Sequence, residues 1–374
     1  MTDYASPLRI FQPRRFDYGA GSAAQIGLWA EAEGFRNMLV LTQPPMLPQI
    51  DRLGLRGKVT VFDAVQPEPD SDNLAAALAA ATDAAPDLVV GFGGGSVMDV
   101  AKLVSVLRSG QTLPEIVGSG RVTARQNALA LVPTTAGTGS EAGIRALVTD
   151  AATLNKVAVE SPFLIPDMVA LDPDLTLSVP PAVTAATGID AMAHCVEAFT
   201  NRKAHPLIDT YARTGFGLVA RYLPRAVRDG SDAEARAALL LAAYYGGICL
   251  GPVNTAAGHA LAYPLGTRLK LAHGLANAVI FPHVLAFNQP VVATKTAEIA
   301  SALGLRHDSE AALRDDAARW CRDLGVEMHL SRLGATRDHL PAWATEAHGI
   351  RRLMDNNPRD MSVGDVLAIY EAAY

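Results

Sequence analysis

Short apolar runs alternate with helical stretches through the first half of the chain, and this alternation limits the fold more than any other feature. "NMLVLT" (37–42) and "KVTVFD" (58–63) read as strands. "DNLAAALAAATDAAP" (72–86) reads as a helix and is followed by the strand "DLVVGF" (87–92). The helix "SVMDVAKLVSVLRS" (96–109) and the strand "ALALVPTT" (128–135) complete the series. Such an order predicts a parallel sheet with helices on both faces, because each parallel strand needs a crossover over one face of the sheet. After "LDPDLTLSVPP" (171–181) the texture changes. Helices fit 182–200, 207–223, 232–250 and 273–288, and strand-like runs stop. The Pro180–Pro181 pair marks the expected boundary. The chain therefore reads as an α/β domain over 1–180 and an all-helical domain over 181–374.

The totals suit two packed domains. Of 374 residues, 49% are hydrophobic and 19% charged, which is ample for large cores. A net charge of -6 lacks the basic surface of a nucleic-acid binder. Cys195, Cys249 and Cys321 are far apart, so neither a disulfide framework nor a thiolate zinc site is expected. The N-terminal segment has no secretory core. The uncharged run Ala237–Thr267 is interrupted by Gly246, Gly247, Gly251, Pro252, Asn254 and His259. It reads as two buried helices with a break, not as a membrane span. These features point to a reducing, cytoplasmic setting.

Two polar loops follow strands. In "GFGGGSVMDVAK" three glycines open a helix whose first N–H groups are free to meet a pyrophosphate. A tight strand–helix turn with no ligand would use the same glycines. "PTTAGTGSE" (133–141) adds Thr134, Thr135, Thr138 and Ser140. Both loops lie at C-terminal strand ends, where open α/β sheets bind ligands, and the pair favours a dinucleotide.

The helical half holds "TGIDAMAHCVEA" (187–198), with Asp190 and His194 four apart on one helix face. Such a pair can chelate one ion or form a buried hydrogen bond. His259 and His273 follow in "GHALAYPLGTRLKLAHGLANA". One carboxylate with three imidazoles suits Fe²⁺ or Zn²⁺ better than Mg²⁺ or Ca²⁺.

In this order, "GGGSVMDVAK", "PTTAGTGSE", "GIDAMAHCVEA", "GHALAYPLG" and "HGLANAV" resemble the iron-containing (group III) alcohol dehydrogenase family. The resemblance runs nearly the whole chain. It implies a dehydroquinate synthase-like fold: an N-terminal dinucleotide-binding α/β domain and a C-terminal all-helical metal-binding domain. It implies Asp190, His194, His259 and His273 as metal ligands. Gly94, Gly95, Ser96 and Asp99 would cradle the pyrophosphate, and Thr134, Thr135, Thr138 and Lys156 would line the cofactor path. The implied partners are a small alcohol or aldehyde and a second copy of the chain in a dimer, with no nucleic acid and no membrane.

Several positions depart from the family pattern. Gln43 stands where an Asp often binds the adenosine ribose, which relaxes the exclusion of NADP. Glu68 stands where an Asn is usual, and its carboxylate could take the ribose hydroxyls and favour NAD. Arg145 replaces a common aromatic residue and could either clamp a substrate anion or form a salt bridge. Tyr263 replaces a frequent histidine and could relay a proton. The expected activity is metal-dependent NAD(P) alcohol–carbonyl interconversion. Two rivals share the fold. A maleylacetate reductase-type enzyme needs no metal, and a dehydroquinate synthase-like lyase needs several basic residues around its substrate.

Overall fold

The computed structural model describes residues 4–107, 110–153 and 155–374. The last two residues of the helix expected over 96–109 lie outside them. Strands are β1 Arg15–Tyr18, β2 Asn37–Leu41, β3 Lys58–Phe62, β4 Leu88–Gly93, β5 Gly118–Ser119, β6 Ala128–Pro133, β7 Arg145–Thr149, β8 Lys156–Glu160 and β9 Met168–Leu171. The α-helices up to residue 178 are α1 Gln25–Glu33, α2 Ser71–Ala84, α3 Gly95–Val106 and α4 Leu113–Ile116. Beyond it follow α5 Pro181–Thr200, α6 Pro206–Arg228, α7 Ala233–Leu250, α8 Ala257–Leu269 and α9 His273–Asn288. The chain closes with α10 Ala293–Leu303, α11 Glu310–Asp323, α12 Leu340–His348, α13 Arg351–Met354 and α14 Val363–Ala373.

The chain forms two compact units. Ile10–Ser178 is the α/β unit, and Val179–Tyr374 is the helical one. Residues 4–9 belong with the helical unit, whereas the sequence reading put them in the α/β domain. A contact between the His205 ring and the Ser6 carbonyl at 3.2 Å is part of the reason.

The six-stranded sheet of the α/β unit runs β1-β9-β6-β4-β2-β3, and every pairing is parallel. Alternate strand residues feed two cores. Leu39, Leu41, Val89, Leu129 and Leu131 pack with α2 and α3 on one face. Met38, Val40, Leu88, Val90 and Ala130 pack with Ile26 and Trp29 of α1 on the other. Burial on both faces explains why these strands read as unbroken apolar runs. The chain turns from β2 outward to β3 and returns on the other side of β2 as β4. The strand ends at Gln43 and Gly94 therefore flank the switch point where such sheets take ligands. A smaller sheet, β5-β8-β7, pairs β7 antiparallel to β8.

In the helical unit, Pro181 sits in the first turn of α5, where its missing N–H costs nothing. Most of α5 is buried, as its apolar circumference requires. The apolar run after residue 237 is two helices, α7 and α8, broken around Gly251 and Asn254 (φ 78°). By length and hydropathy α7 could cross a membrane, but most of it is buried within this unit.

Candidate metal centre and cofactor loops

Asp190 and His194 lie one turn apart on α5. His259 is the third residue of α8, and His273 is the first of α9. One ligand atom from each of the four residues lies within 4.8 Å of every other. The three imidazole Nε2 atoms converge on a single oxygen. Asp190 Oδ1 is 3.9 Å from His194, 3.6 Å from His259 and 3.8 Å from His273. These separations are too long for hydrogen bonds. They approach the roughly 3.4 Å edge expected for tetrahedral ligands about 2.1 Å from a common ion.

Two residues that the sequence reading passed over orient the cluster. Glu197 Oε1 sits 2.7 Å from His259 Nδ1, and its other oxygen accepts the Ala256 N–H. This leaves His259 Nε2 facing Asp190, buried and without a hydrogen-bond partner among the described residues. A ligating histidine held by a carboxylate on its other nitrogen is the usual second layer of a metal site. A Cβ on residue 258 would stand 2.5 Å from Glu197 Oε1, so Gly258 is what lets the carboxylate reach the ring. Asn277 Nδ2 donates to Asp190 Oδ1 at 2.7 Å and lies 3.1 Å from His273 Nε2. Both had a sequence signal: Glu197 is one turn past His194, and Asn277 one turn past His273.

Electrostatics agree with the geometry. Burial alone would raise the Asp190 pKa, but the imidazoles of His194, His273 and His259 hold it well below the usual carboxylate range. Burial would lower the His259 pKa, but the Glu197 and Asp190 carboxylates push it up to about 10. Protons and a cation therefore compete for the same buried atoms. An anionic carboxylate, three converging nitrogens and an orphaned Nε2 fit a borderline divalent metal.

In the α/β unit the two polar loops touch. Gly94 precedes α3 and caps it without a side chain, leaving first-turn N–H groups open. A Cβ at Gly94 would lie 3.2 Å from Thr135 Oγ1, and one at Gly95 2.6 Å from Thr138 Cγ2. Gly95 thus serves the packing of the loops on each other, and a larger residue there would disturb the fold as well as a ligand. The Thr134 N–H donates to the Gly93 carbonyl at 3.1 Å. Ser96 Oγ accepts from the Glu68 N–H at 3.2 Å, and Glu68 has left-handed backbone (φ 52°).

Three of the expected residues also make contacts within the α/β unit. Asp99 was expected beside the pyrophosphate. Its Oδ1 accepts from Ser140 Oγ at 2.5 Å and its Oδ2 from the Leu147 N–H at 3.0 Å. It ties α3 to the polar loop and to β7. Lys156 is ion-paired with Glu68. Arg145 donates to Glu160 Oε2 at 2.6 Å across the β7–β8 ladder, as the salt-bridge alternative expects. Gln43 Nε2 is held by the Val65 carbonyl at 3.0 Å. Tyr263 packs against His273 with ring centroids 6.0 Å apart.

The comparisons with known proteins agree along the whole chain. Residues 13–173 match the model of the iron-containing alcohol dehydrogenases, and residues 184–374 match the C-terminal model of the same family. The long-chain-alcohol dehydrogenase 1 of Geobacillus thermodenitrificans is 35% identical, with 99% of this chain and 97% of that protein covered. A 1,3-propanediol oxidoreductase crystal structure superposes with a TM-score of 0.93 at 28% identity, covering 99% of this chain and 100% of the other. A sulfoacetaldehyde reductase of Bifidobacterium kashiwanohense in complex with NAD+ gives 0.88 at 26% identity, with 99% of each chain covered. The chain belongs to the iron-containing alcohol dehydrogenase family. It is an oxidoreductase that interconverts alcohols and carbonyl compounds with a metal and a nicotinamide dinucleotide; the reductase and lyase rivals are not favoured.

Proposed function

We propose that this enzyme reduces small aldehydes or ketones, and oxidises the matching alcohols, with Fe²⁺ held by Asp190, His194, His259 and His273 and with NAD as its preferred dinucleotide. The observation that carries this reading is the convergence of three Nε2 atoms on Asp190 Oδ1, with Glu197 behind His259. When bound, the metal supplies Lewis acidity for the substrate oxygen and the nicotinamide supplies or accepts the hydride. Asp190 keeps its charge because three imidazoles surround it. Glu197 fixes the His259 ring. Gly94, Gly95 and Ser96 offer backbone donors at the start of α3, with Thr134, Thr135 and Thr138 beside them. Tyr263, whose ring packs against His273, would pass the alcohol proton to water.

Support for NAD comes from Glu68. Its carboxylate is paired with Lys156, and its N–H donates to Ser96, so that lysine is not left over to bind a 2′-phosphate. Zn²⁺ suits the same ligands and remains the second metal to test. A homodimer in the cytoplasm completes the reading. Phe16 and Tyr18 on β1 expose apolar side chains at the end of the sheet, a surface that a second copy could cover. Light scattering should then give twice the chain mass. The functional test is an aldehyde panel with NADH and NADPH on metal-stripped protein reloaded with Fe²⁺ or Zn²⁺. Turnover should need the metal and run faster with NADH. Equal turnover by stripped protein would refute the reading.

A further inference from the structure

The candidate metal cluster is unevenly buried. The side chains of Asp190, His194 and His259 are 2%, 4% and 3% exposed, whereas His273 is 19% exposed. His273 is therefore the ligand nearest to solvent. Tyr263 lies against it, and the Arg352 guanidinium lies over the Tyr263 ring, 5.5 Å from its centroid. Arg352 Nη2 also donates to Tyr263 Oη at 3.3 Å. A line of three side chains thus leads from the cluster to the surface.

The charges beside Arg352 set it apart. Arg351 is paired with Asp355, and Arg268 with Glu346. Arg352 has no carboxylate partner among the described residues, and it is exposed. Stacking on a phenol orients a guanidinium without neutralising it, and most of its donors stay available. A substrate whose oxygen reaches the cluster past His273 would bring its far end to this guanidinium. Arg145, for which the sequence left an anion clamp and a salt bridge open, holds Glu160 within the α/β unit.

We propose that Arg352, seated on Tyr263, is a specificity-determining residue that binds a carboxylate carried on the far end of a short aldehyde substrate. The inference rests on the dehydrogenase reading above. A charge-assisted contact of this kind corresponds to about tenfold to a hundredfold in discrimination. The test compares succinic semialdehyde with butanal on the metal-loaded enzyme with NADH. The ratio of their kcat/KM values should fall about tenfold to a hundredfold in Arg352→Gln and further in Arg352→Glu. Arg352→Lys, which keeps the charge but not the fork, should retain much of it. Calorimetry on metal-loaded enzyme without dinucleotide should show the same loss in affinity for 4-hydroxybutanoate relative to 1-butanol. A residue that only steadied Tyr263 would change both substrates alike, and equal changes in Arg352→Gln and Arg352→Glu would overturn the proposal. If no aldehyde were reduced while 4-hydroxybutanoate binding still depended on Arg352, the dehydrogenase reading would fall and the anion site would stand.

Discussion

Glu197 shows how one side chain can decide what a histidine does. With its carboxylate on His259 Nδ1, the ring can only present Nε2 toward Asp190. Replacing it with Gln keeps the shape and removes the charge. Loss of such a partner typically weakens metal affinity about tenfold to a hundredfold. Competition with a chromogenic chelator should show that loss in Glu197→Gln, and an unchanged affinity would mean that Glu197 is only a packing residue. At this scale the sequence was partly readable. The Asp190–His194 spacing announced a shared helix face, and His259 and His273 joined it through resemblance. Glu197 and Asn277 were not read, because a Glu or Asn one turn along a helix is ordinary until tertiary packing shows what it touches.

Among elements, the junction of α3, the polar loop and β7 is held by buried charge. Lys102 on α3 is fully buried and donates to the carbonyls of Ser140, Gly143 and Arg145 at 2.5, 2.9 and 2.8 Å. Its neighbour Glu141 is 1% exposed, and neither carboxylate oxygen has a hydrogen-bond partner among the described residues. Burial pushes the Glu141 pKa up to about 7 and the Lys102 pKa down to about 8. The signs differ in consequence. Between its ordinary value of 4.5 and about 7, Glu141 binds more proton folded than unfolded, so its contribution to stability falls as pH rises through that window. Lys102 binds more proton unfolded between about 8 and 10.5, so its contribution rises with pH there. Thermal unfolding should therefore show a smaller fall in Tm between pH 4.5 and 7 for Glu141→Gln than for the parent. A decline of the same size in both proteins would place the titrating group elsewhere. This element was the least legible part of the fold. β7 and β8 are short, half-buried and separated from the main sheet, so their pattern resembles loop, whereas β2, β4 and β6 declared themselves by burial on both faces. The helices from α10 onward were also unread, because their motifs carry no chemistry and their packing against α8 and α9 joins residues far apart in sequence.

At the scale of the molecule, the division of labour follows from what each unit can offer. A parallel sheet brings glycine and threonine loops together at one edge, where backbone donors suit a dinucleotide. A helical bundle instead brings together residues far apart in sequence, here positions 190, 194, 259 and 273, at one buried point. The change of texture near Pro180 was visible in the sequence, whereas the association of residues 4–9 with the helical unit was not, since it rests on contacts such as Ser6 with His205. The central claim is that these four side chains hold one metal on which turnover depends. The most direct measurement is metal content per chain, by elemental analysis after equilibrium dialysis against Fe²⁺ or Zn²⁺, together with NADH-linked aldehyde reduction, for the parent and for His259→Ala. The account predicts about one tightly held ion per chain in the parent, with both the ion and turnover lost in His259→Ala while the fold persists by circular dichroism. Full metal content and full turnover in His259→Ala would contradict it.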